Sequence, residues 1–127
     1  MKKRVLDVGN CVPDHAAIRN MLVSRFAAEV LQTDGPDDTL ALLRVESVDL
    51  VLINRKLDQD YSDGIEILRQ IKSDPQLASL PVMLVTNYRD HQEAAVREGA
   101  AYGFGKLALH EAETHGRLAE FLGEPVA

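Results

Sequence analysis

The chain of 127 residues has a single cysteine, no tryptophan, and only three tyrosines and three phenylalanines. One cysteine, Cys11, excludes an intrachain disulfide and fits a reducing compartment, where it reads as a small, partly buried side chain. No apolar run reaches the roughly 18 to 20 residues of a membrane span. Met1-Lys2-Lys3-Arg4 precedes an apolar stretch too short for a signal peptide, so a cytoplasmic, non-membrane protein is expected. Basic clusters are also scarce. The net charge is -6 and, beyond Lys2-Lys3-Arg4, the cations are scattered. Phosphate backbones demand a concentrated basic patch, which argues against a nucleic-acid partner. Linkers, internal repeats and low-complexity tracts are missing too.

What is present is the composition of an ordinary folded domain, 46% hydrophobic and 27% charged with a mean hydropathy of -0.13. The length suits one domain over residues 1–127. Apolar runs and helical patterns alternate along it. Val5-Leu6-Asp7-Val8 reads as a strand ended by Gly9-Asn10, and Ile18, Met21, Leu22 and Phe26 carry helical spacing after Pro13-Asp14. Further strands are expected at Glu29–Gln32, Asp49–Asn54, Leu80–Thr86 and Ala101–Gly105. The intervening helices are expected at Asp37–Val45, Gly64–Lys72, Asp90–Glu98 and His110–Leu122. Such an alternation predicts an α/β fold, a doubly wound parallel sheet with helices on both faces. The unbroken apolar run Leu50-Val51-Leu52-Ile53 fits a strand buried on both sides. In a sheet of this kind the working site lies beyond the carboxyl ends of the strands, where Gly9-Asn10, Asn54, Thr86-Asn87 and Lys106 fall.

Five marks in register carry a resemblance: Asp49-Leu50-Val51-Leu52-Ile53-Asn54, the pair Asp63-Gly64, Pro81 through Thr86, Gly99-Ala100, and Lys106. Together they resemble the receiver domain of two-component response regulators over nearly the whole chain. The resemblance implies a flavodoxin-like three-layer sandwich with strand order 2-1-3-4-5. It also implies phosphoryl transfer from a phosphohistidine to an aspartate at the end of the third strand, with a divalent metal held by that aspartate and an acidic pair after the first strand. Here the nucleophile position is Asn54, and the acidic pair aligns with Gly9 and Asn10, or with Asn10 and Cys11. An amide is neutral, its nitrogen lone pair is delocalised, and it cannot form an acyl phosphate. Magnesium asks for hard, preferably anionic oxygen ligands, so loss of the Mg2+ site, no cofactor and no enzymatic activity are expected.

Thr86 and Lys106 match the positions that contact phosphoryl oxygens in the family; in this chain they read as retained anion contacts or, more plainly, as a strand-end hydroxyl and a lysine bonded to the Asn54 oxygen. The loop from Asn54 to Gly64 is two residues longer than the common family spacing and lacks its proline, and Leu107 stands where proline usually follows the lysine. The switch aromatic aligns with Gly103, between Tyr102 and Phe104. Strand alternation puts Phe104 on the opposite face unless the strand is bulged.

Other candidate chemistry is weaker. Asp58, Asp60 and Asp63 superficially suggest a calcium loop, but the glycine is at the seventh position and Arg69 occupies the place of the bidentate acid. His110 and His115 are one residue too far apart for a zinc helix and read as surface residues. Gly103-Phe104-Gly105-Lys106 lacks the first glycine and the hydroxyl of a phosphate loop. Asp7, a carboxylate inside a buried strand, requires a partner, with Lys106, Arg4 or Arg55 as candidates.

The preferred expectation is a degenerate, phosphorylation-independent pseudo-receiver in a two-component or phosphorelay system. It would bind other signalling proteins, a histidine kinase or a regulator among them, through the face of the fourth helix, fifth strand and fifth helix. Leu107, Leu109, Leu118 and Phe121 are candidate contacts there, although apolar residues at helical spacing are more often core, and a homodimer is a further possibility. With no output domain in this sequence, a signal must leave by contact, or the chain is a fragment. The alternatives are a regulator phosphorylated at Asp58, Asp60 or Asp63, and a flavodoxin-like small-molecule-binding protein.

Overall fold

The computed structural model describes residues 2–126. Five strands, β1 (Arg4–Val8), β2 (Glu29–Thr33), β3 (Leu50–Asn54), β4 (Val82–Val85) and β5 (Ala101–Phe104), form one parallel sheet in the order β2-β1-β3-β4-β5. Helices α1 (Val12–Phe26), α2 (Pro36–Val45), α3 (Ile65–Ser73), α4 (Arg89–Arg97) and α5 (Ala112–Leu122) make the crossovers and the final layer. The doubly wound sheet and its order agree with expectation. Observed element ends move by one or two residues, as helix and strand termini do. Two-residue shifts occur at the start of β4 and at α5, where a 3-10 turn at Lys106–Ala108 delays the helix to Ala112.

Local sequence explains the element ends. Pro13 and Pro36 lie in the first turns of α1 and α2, where a missing N–H costs nothing. The Asp38 carboxylate accepts from the backbone N–H groups of Asp34 and Gly35, fixing the entry to α2. α3 begins beneath the end of β3 because Gly64 has no side chain: a Cβ there would lie 2.1 Å from the Asn54 carbonyl oxygen.

Strand alternation divides the core. Val5, Leu50, Leu52 and Met83 pack with Ile18, Leu22 and Leu118 on the α1–α5 face. Leu6, Val8, Val51 and Ile53 pack with Leu43, Ile67, Leu68 and Ile71 on the α2–α3–α4 face. One open reading is resolved here and one expectation is corrected. Leu109 and Leu118 are buried and Phe121 leans on the core, so of the four apolar candidates only Leu107 is open to solvent, 88% exposed. His115 is not a surface residue: it is buried, pairs through Nε2 with the Leu109 carbonyl at 2.9 Å, and meets the Phe26 ring edge-on. That hydrogen bond satisfies a polar ring inside an apolar layer.

Candidate functional site

The carboxyl ends of β1, β3, β4 and β5 bring Gly9, Asn10, Asn54, Thr86 and Lys106 to one rim of the sheet. The Asn54 amide nitrogen donates to the backbone carbonyls of Lys56 at 2.6 Å and Gly9 at 3.2 Å. Two carbonyl oxygens therefore converge on an N–H2 group. A carboxylate in that place would have only lone pairs to offer them, so the amide is the side chain that the surrounding backbone accepts.

Gly9 adopts φ +77°, and a Cβ on it would fall 2.4 Å from a Leu57 methyl. Leu57 is 1% exposed. It is delivered by the long loop after β3, which folds back on itself through the antiparallel bridge of Lys56 with Asp63, the Leu57 N–H to Ser62 carbonyl bond and Tyr61 at φ +61°. The Asp58 N–H then bonds the Gly9 carbonyl at 2.9 Å, tying that loop to the end of β1. The longer spacing visible in the sequence thus has a physical use: it seats an apolar side chain beside the first strand's turn.

Asp7 is fully buried, and its partners differ from those expected. His15 Nδ1 lies 2.7 Å from one carboxylate oxygen and Asn10 donates to the other at 2.5 Å. Arg4 instead pairs with Glu29 and Glu46, Arg55 approaches Asp63 at 3.9 Å, and Lys106 pairs with Asp14 at 2.7 Å. Burial pushes the Asp7 carboxyl above the usual carboxylate range, against the hydrogen bonds from His15 and Asn10 and the charges of His15 and Lys106. The hydrogen bond from Lys106 holds Asp14 below that range. Lys106 therefore does not bond Asn54 as the plainer sequence reading had it; the carboxylate on α1 captures its charge.

These donors do not fit a magnesium ion. Gly9 supplies no side chain, Asn54 turns its nitrogen toward the two carbonyls, and Asn10 offers one neutral oxygen, Oδ1, buried without a partner among the described residues. No group of three or more His, Cys, Asp or Glu positioned for a metal occurs among the described residues. The loop acids are separately engaged: Asp60 accepts from the Ser62 hydroxyl and N–H, which lowers its pKa, and Asp63 accepts from the Ile65 N–H.

The opposite edge of the rim is rebuilt in polar terms. Between Met83 paired with Ala101 and Val85 paired with Phe104, the β5 strand carries one extra residue, a β-bulge. The bulge does not move Phe104 outward; its ring is buried on the α1–α5 face. At Gly103 a Cβ would lie 2.2 Å from the Leu84 carbonyl oxygen, so no aromatic side chain fits this backbone. Buried Gln92 of α4 accepts from the Gly103 N–H at 2.8 Å and donates to the Leu84 carbonyl at 2.9 Å. Arg117 of α5 donates to the Gly103 carbonyl at 3.0 Å and stacks over the Tyr102 ring at 4.4 Å. Groups that a bulge leaves unpaired are thereby satisfied from both flanking helices. Thr86 places its hydroxyl 3.2 Å from His91 Nδ1 and accepts from the Tyr88 N–H.

The sequence model of the response regulator receiver domain matches residues 11–107. The chain belongs to the response regulator receiver family. Solved structures share its fold. A Chloroflexus aurantiacus J-10-fl protein described as a response regulator aligns with TM-score 0.78 and 15% identity over 98% of this chain and 100% of its own. The phosphorylated cyanobacterial phytochrome response regulator RcpA aligns with TM-score 0.75 and 22% identity, covering 96% and 94% of the two chains. The bacteriophytochrome response regulator AtBRR gives 0.74 and 23%, covering 100% and 96%. No curated protein matches the chain by sequence.

Within this receiver, sequence reasoning located the rim residues but missed the four side chains that rebuild it: His15, Leu57, Gln92 and Arg117. A signal existed for one of them. His15 is eight residues after a strand carboxylate, across a short turn that returns the helix over the strand. Gln92 had none, because a bulge opposite it is invisible in composition or spacing.

Proposed function

We propose that this receiver works in a two-component or phosphorelay pathway without being phosphorylated, as a pseudo-receiver that passes its signal by protein contact. The observation that carries this reading is the Asn54 amide, whose nitrogen is held by the carbonyls of Gly9 and Lys56. The group in the acceptor's place is chemically unable to form an acyl phosphate and is tied into the backbone. Loss of acidic groups at Gly9 and Asn10 removes the charge that would draw a divalent cation, so the reading includes no metal, no cofactor and no catalysis.

The partner surface proposed is the α4–β5–α5 face, where the α5 side chain Arg117, paired with Glu113, lies over Tyr102 of β5 and Gln92 of α4 braces the strand. A histidine kinase or another regulator is the kind of partner such a module takes, with a second copy of the chain as a further candidate. The test is incubation with acetyl phosphate and magnesium followed by intact-mass measurement. No added mass is expected. A phosphoryl adduct mapped to Asp58, Asp60 or Asp63 overturns the reading in favour of a relocated acceptor.

A further inference from the structure

Between the end of β3, the turn after β4 and the first turn of α4 lies a cleft of about 280 Å³ whose wall includes Arg55, Lys56, His91 and Lys106. No carboxylate among the described residues lines it. In a chain of net charge -6 this is a local inversion of sign, beside the Asn54 side chain at the end of β3. We infer that this cleft is a docking pocket for an acidic side chain, a glutamate or aspartate flanked by apolar residues, presented by a protein partner. The inference rests on the contact-signalling reading above and names the chemistry of the contact.

Charge arithmetic favours a carboxylate over a phosphate. Lys106 is already paired with Asp14 at 2.7 Å, and Arg55 is partly offset by Asp63 at 3.9 Å. Lys56 is exposed and has no ion pair among the described residues. About one positive charge is left uncompensated, which matches a carboxylate monoanion and falls short of a phosphate dianion. Arg55 adds a planar fork suited to two carboxylate oxygens. The rim is apolar where a peptide would lie. Tyr88, 64% exposed, forms part of the wall, and Leu107, 88% exposed, is fixed beside it by its N–H bond to the Asn87 side-chain oxygen at 3.1 Å. An exposed tyrosine in the wall and an exposed leucine next to Lys106 in the chain offer an acidic–apolar segment apolar contacts close to its anchor.

The probe is the peptide acetyl-ALELA-amide, titrated into the 15N-labelled chain against its glutamine twin acetyl-ALQLA-amide, with inorganic phosphate as a competitor. The glutamate peptide is expected to move the amide signals of Lys56, Tyr88 and Leu107, and to bind about tenfold tighter than the glutamine peptide. Lys56→Glu, on an exposed side chain whose fold is checked by thermal melting, is expected to weaken binding at least about tenfold. The peptide comparison itself needs no variant. Equal binding of the two peptides, shifts confined to another face, or no shift at millimolar peptide overturns the proposal; displacement by phosphate at lower concentration than the peptide's own Kd makes the cleft a phosphate site and overturns it too. An acyl phosphate in the mass experiment would sink the phosphorylation-independent reading without touching this titration, and a silent titration would leave the mass result standing.

Discussion

At the β1–β3 end of the rim, Gly9 and Asn54 are held by an apolar plug and by an amide facing carbonyls; at the β4–β5 edge, Gly103 is held by side chains bonded to its backbone. The first region is held chiefly by packing. The second is held by hydrogen bonds, with Gln92 and Arg117 reaching in from the two flanking helices. In both, a rim position is held through several partners. The difference is in what each would tolerate: the plugged end resists added volume, whereas the bonded edge resists loss of polar atoms.

That contrast can be broken most forcefully at Gly9. Gly9→Asp restores a carboxylate but puts a Cβ on a left-handed backbone and against Leu57, and is expected to cost about 3 kcal/mol in urea unfolding. Removing polar atoms from the other edge should cost slightly less. Gln92→Ala leaves the Gly103 N–H and the Leu84 carbonyl buried without their partner, a loss of about 2 kcal/mol by the same measurement. If Gly9→Asp is the milder change, the plug is softer than the geometry implies.

Asn54→Asp sharpens the comparison within the first region. A carboxylate would face the carbonyls of Gly9 and Lys56, and a loss of about 1 to 2 kcal/mol is expected at pH 7. The penalty should shrink as pH falls and the new carboxyl gains a proton it can donate. Unfolding curves at pH 7 and pH 4.5 check this; a penalty independent of pH would mean that the carbonyls swing away.

The smallest effect is expected at Asp7. Its folded pKa is raised chiefly by burial, so the fold holds the proton more tightly than the unfolded chain does. Asp7 then favours the fold at low pH, and that contribution is lost as pH rises through the ordinary carboxylate value toward the raised one. Asp7→Asn should flatten this part of the stability profile and gain on the order of 1 kcal/mol above it, because no buried charge remains to be solvated. A wild-type profile that instead climbs through that window would show that the His15 contact outweighs burial.

Most of the architecture was legible beforehand, since alternating apolar runs and helical spacings report burial directly. The rim positions were legible as well: strand ends in a parallel sheet lie on one side, so Asn54, Thr86 and Lys106 had to approach one another. Their partners were not. Lys106 had several carboxylates within reach by sequence, and only the placement of α1 decided for Asp14. His115 looked like a surface residue because a spacing of five says nothing about which helix face is inward; the packing of α5 against Phe26 turned it in.

By itself, then, the sequence determined the sheet, its layers and the absence of an acyl-phosphate-forming residue at position 54, because burial periodicity and the chemistry of an amide are local properties. Tertiary structure alone decided that Leu57 fills the space beside Gly9, that Gln92 closes a bulge, and that Lys56 stands at the cleft without an ion pair among the described residues. Those outcomes depend on distances between segments far apart in the chain, and no single segment encodes them.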